Sequence, residues 1–392
     1  MADQSNNATI RLNKVRVRDL QLAIRASVAV DVPLLALGGY GGGKSKIIRG
    51  TLEDMGYAVL DGVRVSQLEP TDLGGIPAIN LSERTAERLM PDLINSAWRL
   101  HRETGKLIAM FLDELPSAPP GTQAALYQIV LERRAAGFVL PPGTRIIAAG
   151  NRPEDKGVTY DMPLPMCNRF MIVEFGGPTR EEFMSYMVNP VGLDIADDQV
   201  VRHLDSTGVS PEWEPPRTFH PLVMAFLDQH AEWITGKADA DAHQGRNPTP
   251  RSWEVASWLL YYCDEARVSD TDRKTLLSSA VGDPAALAME ATIRLAKDIV
   301  PFEDIVADPD KAPVSPNKVA NLLQVLMMVG RLDKRKPSEF EAVVKYVERM
   351  SGEMMAMFLR RVLATNTDLI VGHRKLIAKY AKYCTAGLRM RS

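Results

Sequence analysis

Residues 38 to 45 read Gly-Gly-Tyr-Gly-Gly-Gly-Lys-Ser, a complete G-x-x-x-x-G-K-[ST] pattern. The chemistry open to such a loop is the holding of a polyphosphate. Glycines at 38, 39, 41, 42 and 43 let the backbone curl with its N–H groups turned inward, and no Cβ keeps a phosphate at a distance. Lys44 is placed to reach the outer phosphates, and the Ser45 hydroxyl to ligate a magnesium ion. Tyr40 and Lys46 complete the candidate binding stretch. The apolar run 33–37 suits a buried parallel strand, and 46–52 opens a helix. A flexible glycine loop with an incidental lysine, the competing reading, would not call for that strand and helix on either side.

Residues 107–112 form another apolar run, ending in Asp113 and Glu114. Acids at the carboxyl end of a buried parallel strand emerge at the crevice where open α/β sheets bind ligands. Asp113 then belongs to the magnesium shell beside Ser45, and Glu114 polarises an attacking water. A strand with an acidic turn would look the same in isolation; the phosphate loop earlier in the chain favours the metal-site reading. Residues 145–149 are again apolar and lead to Asn151, which would lie between neighbouring strand ends and hydrogen-bond the terminal phosphate or the water, although Asn after Gly is also an ordinary turn. Arg169, just before the run 170–175, is positioned to serve a neighbouring subunit's site rather than its own, or else to close a strand at the surface. Arg251 stands at a helix start fixed by Pro248, Pro250 and the capping residue Ser252, from which it would reach back to the nucleotide and report its state.

These residues need an α/β frame. Strand-like runs at 33–37, 57–65, 107–112, 145–149 and 170–175 alternate with helical stretches, the pattern of a parallel sheet. After 179 the strand-like runs stop. The expected division is a nucleotide-binding core over 1–178, a helical lid over 179–267 and a helical region over 268–392. A chain of 392 residues exceeds one ordinary core. Its composition, 45% hydrophobic and 24% charged, is that of a globular protein without a membrane span or secretory leader. The 3 cysteines are far apart and make neither a disulfide framework nor a zinc spacing, so a reducing cytoplasm is expected. A net charge of −2 argues against coating of nucleic acid, while the basic stretch from Arg374 to Arg391 reads as a solvated face or a polyanion contact.

Taken together, these motifs resemble the AAA+ ATPases, and more closely their MoxR-type branch. The resemblance rests on the loop 38–45, Asp113-Glu114, Asn151-Arg152, Asn168-Arg169-Phe170 and residues 248–254, and covers roughly residues 20 to 265. It implies a core of five parallel strands in the order 5-1-4-3-2, a helical lid, ATP and Mg2+ as cofactors, and a homo-oligomeric ring, usually a hexamer. Hydrolysis would remodel, mature or metal-load a protein client, with a von Willebrand A domain protein as the candidate. A nucleic-acid translocase on the same core is the alternative. The loop has Gly39-Tyr40-Gly41-Gly42 where the family more often has Pro-Pro-Gly-Thr, and Leu115-Pro116-Ser117 replaces the commoner Ile-Asn-Arg. The stretches 71–80 and 134–143 match insertions of the branch. Ile76, Ile79, Phe138 and Val139 are their candidate grips on a client, unless these loops pack on their own domain.

Overall fold

The computed structural model describes residues 14–152, 155, 159–188, 213–216, 218–235, 247–295, 299–333, 336–373 and 378–380. The strands are β1 (Leu34–Gly38), β2 (Ala58–Arg64), β3 (Pro77–Asn80), β4 (Thr85–Arg88), β5 (Ile108–Asp113), β6 (Arg134–Ala135), β7 (Phe138–Val139), β8 (Arg145–Gly150) and β9 (Met171–Phe175). Five of them form one parallel sheet in the order β2-β5-β8-β1-β9. Counted along the chain within that sheet, this is 5-1-4-3-2, the order that the AAA+ resemblance implies. The fold is an α/β core in which the glycine loop 38–45 leaves β1, an inner strand between β8 and β9.

Each sequence run lands on its strand with ends moved by one residue or so. β1 and β9 are buried at every position, because helices cover both faces and leave no polar side for alternation. Edge strand β2 is mixed in burial and carries an irregularity between Leu60 and Val63. Leu35 and Leu37 of β1 join Met110, Leu112, Ile146 and Ala148 in the main core. Burial of each such leucine contributes about 1.5–3 kcal/mol.

The connecting helices are α1 (Val17–Ala29), α2 (Lys44–Asp54), α3 (Pro70–Gly74), α4 (Asp92–Thr104), α5 (Pro120–Glu132) and α6 (Leu164–Cys167), followed by α7 (Arg180–Val188). Residues 219–233 and 287–392 form a separate compact unit, whose core joins Ala225 of α8 (Pro221–Gln229) to helices between 302 and 369. The other unit holds residues 1–218 and 234–286, so the expected lid segment 179–267 is divided between the two. Within the first unit are α9 (Pro250–Glu265) and α10 (Asp270–Val281). The Met354 and Met355 side chains are buried in the core of the second unit, as gap-filling methionines are. Most of the loop 236–250 and of the basic C-terminal stretch lies outside the described residues.

The reason α10 belongs with the sheet is visible in one ion pair. Arg18 of α1 donates Nη1 and Nη2 to the two carboxylate oxygens of Asp272 at 2.7 and 2.8 Å. Burial works against the Asp272 charge, but hydrogen bonds from Arg18 and Ser269 outweigh it and hold the carboxyl below its ordinary value of 3.8. The folded value is the lower one, so this contribution is present above the unfolded value and lost as pH falls through the folded one. Asp272→Asn is expected to cost about 1–3 kcal/mol. Urea melts near neutral pH should show the loss, and the difference from wild type should shrink in acid.

Candidate functional site

The phosphate loop leaves β1 and ends in α2, with Gly41 at φ 68° and Gly43 at φ 85°. Both lie in the left-handed region, where a side chain would be strained and glycine is not. Lys44 opens α2 with its side chain turned back over the loop: Nζ donates to the carbonyls of Gly38 at 2.7 Å and Gly39 at 2.8 Å. Burial lowers the Lys44 pKa, while the charges of Asp113 and Asp155 oppose the shift. A phosphate entering the loop offers this ammonium a charged acceptor in place of carbonyls. Tyr40 is 60% exposed, and Lys46 is exposed on the first turn of α2.

Ser45 follows Lys44 and donates its hydroxyl to Asp113 Oδ2 at 3.0 Å. The other Asp113 oxygen accepts from the Glu114 backbone N–H at 2.9 Å. Among the described residues no cluster of His, Cys, Asp and Glu could hold a metal alone. The pair of one hydroxyl and one carboxylate fits magnesium, which keeps several waters and takes its remaining ligands from substrate phosphates.

Glu114 sits at φ 59°, a left-handed conformation for a residue with a side chain. That turn directs its carboxylate to the Ser66 hydroxyl, which donates at 2.5 Å. Ser66 lies just after β2, the neighbour of β5, and was not legible as a site residue because a lone serine carries no motif.

Asn151 follows β8, and β8 runs between β5 and β1. This places Asn151 between the Asp113-Glu114 end and the phosphate loop, the position expected for it. The close approach of Gly150 to Pro116 sets that position. A Cβ on Gly150 would stand 2.2 Å from Pro116 Cδ and 2.7 Å from its Cγ. Gly150→Ala is therefore expected to destabilise the protein by about 1–3 kcal/mol, as overpacking does. A urea melt measures it, and an unchanged midpoint would show that Pro116 yields freely.

Arg169 and Arg251 form a second group. The Arg169 guanidinium lies over the Tyr127 ring, 4.1 Å from its centroid, and its Nη1 donates to the Pro165 carbonyl. Its buried Nε has no hydrogen-bond partner among the described residues. Arg251 is exposed, yet partial desolvation lowers its pKa first and the positive charge of Arg169 next, with Glu254 opposing. Arg251 opens α9, which packs with α10 and α1 in the core unit. Thr249 caps that helix, accepting from the Ser252 N–H at 3.1 Å, and the Ser252 hydroxyl accepts in return from the Thr249 N–H at 2.8 Å, so the two form a capping box.

The candidate grips separate by exposure. Strands β3 and β4 form a hairpin on which Ile76 and Ile79 are 65% and 75% exposed, while Val139 is half exposed. Phe138 instead packs against the main core, so it is not a free grip.

No protein-family model and no curated protein matches the chain. Among solved structures it is similar to a candidate ATPase from Cytophaga hutchinsonii, at 14% identity over 68% of this chain and 82% of that one, with a TM-score of 0.44. A full-length MCM homologue from Methanopyrus kandleri gives 17% identity over 68% and 55%, at 0.37. NtrX from Brucella abortus, solved with ATP, gives 14% over 93% and 67%, at 0.31. Similarity at this level carries no argument about activity. The strand order and the site's own geometry do. No helix among the described residues is long and apolar enough to cross a membrane.

Proposed function

We propose that the protein is a magnesium-dependent ATPase that works as a homo-oligomer, with each site completed by a neighbouring copy. The observation that carries this reading is the convergence of Lys44, the Ser45–Asp113 pair, Glu114 and Asn151 at the carboxyl end of one sheet. Magnesium bound there would neutralise charge on the transferred phosphoryl group. Lys44 and the loop N–H groups hold the phosphates, Asp113 with Ser45 orients the metal side, Glu114 accepts a proton from the attacking water, and Asn151 positions that water or the terminal phosphate.

Arg169 and Arg251 supply cations to the adjacent subunit's phosphates. The support is electrostatic: the positive charge of Arg169 lowers the Arg251 pKa, after desolvation, and an anion from outside would relieve that repulsion. Work on a protein client follows from the exposed apolar positions Ile76 and Ile79, which suit contact with an unfolded or extended chain. A von Willebrand A domain protein and a hexameric ring remain the preferred client and assembly, on the MoxR-type resemblance.

The test is ATP hydrolysis measured against protein concentration, with mass from light scattering on the same samples. Specific activity should rise as the oligomer forms. Activity independent of assembly would overturn the shared site, and stimulation by DNA or RNA at moderate salt would favour a translocase.

A further inference from the structure

Arg152 makes several hydrogen bonds beside the phosphate loop, and no motif announced it as more than the residue after Asn151. Its backbone N–H and Nε each donate to Asp155 Oδ2 at 3.1 Å, and Nη2 donates to Asp155 Oδ1 at 3.0 Å. Nη1 donates to Glu174 Oε1 at 2.5 Å. The direction of that last bond matters. Arg152 follows β8, Glu174 is on β9, and β1 runs between those two strands. The guanidinium therefore crosses the carboxyl end of β1, where the phosphate loop begins. A Cβ on Gly39 would come within 3.8 Å of Arg152 Nη2 and 3.9 Å of Asp155 Oδ1, which puts the pair directly against the loop.

Charge gives the crossing a consequence. The Asp155 and Glu174 side chains are only 15% and 9% exposed, so water screens them weakly. Asp155 is close enough to act on the Lys44 charge. A polyphosphate entering the loop thus approaches two shielded carboxylates in addition to Asp113 and Glu114. Buried carboxylates near a phosphate site oppose binding unless a cation is fixed among them. The side chain that touches both is Arg152.

We propose that Arg152 is a positioning residue of the nucleotide site: it cancels Asp155 and Glu174 at the base of the phosphate loop, and so lets the loop accept a nucleoside triphosphate. This rests on the reading of the loop as an ATP site. The role is electrostatic, so it should depend on the number of phosphates on the ligand and be repaired by removing the carboxylates.

The experiment titrates full-length wild type and variants with fluorescent ATP and ADP analogues in the presence of magnesium. Arg152→Met should weaken ATP binding about 10- to 100-fold, and ADP binding less. The same change combined with Asp155→Asn and Glu174→Gln should return ATP affinity to within about threefold of wild type. Glu174→Gln alone, which keeps Arg152, should tighten ATP binding about threefold or more, and serves where the Arg152 variant does not fold. Unchanged ATP affinity in folded Arg152→Met, or a triple variant that binds as weakly as the single one, would overturn the proposal in favour of a purely structural strut. So would equal or weaker binding by Glu174→Gln. A wild type that binds neither analogue would overturn the nucleotide-site reading instead.

Discussion

Glu114→Gln should bind ATP with wild-type affinity and lose its hydrolysis by about 100- to 10,000-fold, the range set by removal of a general base. The amide keeps the size of the carboxylate and still accepts from the Ser66 hydroxyl, so the turn at φ 59° and the loop beside it should persist. It cannot take a proton from water. Asp113→Asn should behave differently, because Asp113 accepts from Ser45 and from the Glu114 N–H, and its loss disturbs the metal side of the site before any chemistry. Phosphate release at saturating ATP, beside a titration with a fluorescent analogue, separates the two. Near-normal steady-state turnover by the glutamine variant would sink the role given to Glu114.

Arg169→Ala should leave each chain able to bind ATP and reduce hydrolysis about 1,000- to 100,000-fold, the scale of an arginine supplied in trans. The side chain lies over Tyr127, and its charge acts on Arg251. Mixing this variant with Lys44→Ala should restore part of the activity, since a mixed oligomer pairs an intact loop with an intact arginine. No recovery in verified mixed oligomers would show that the sites are not shared. Arg251→Ala should fail in the same complementation pattern as Arg169→Ala. Recovery of activity when Arg251→Ala is mixed with Arg169→Ala would mean that the two arginines serve different sites.

Much of the core was legible because its signals are local. A phosphate loop needs consecutive glycines, a lysine and a hydroxyl, and the strand and helix around it are written in adjacent residues. The strand ends carrying Asp113 and Asn151 were readable for the same reason, since a strand buried on both faces shows as an unbroken apolar run. A helix starting near Arg251 was foreseen, but the pairing of α10 with α1 was not. That pairing depended on Asp272 meeting Arg18, a contact between residues 254 positions apart.

The sequence by itself therefore determined the phosphate loop, the acids at the end of β5, the asparagine after β8 and the parallel sheet that holds them. Each follows from backbone geometry or hydrophobic pattern within a short window. Only the tertiary structure decided that Ser66 holds Glu114, that Arg152 joins Asp155 to Glu174 across the end of β1, and that Arg169 lies over Tyr127. The physical reason is that a single serine or arginine carries no period and no motif. Its role is set by which charges and hydroxyls the strand order brings to its side chain, and that order is a property of the whole sheet.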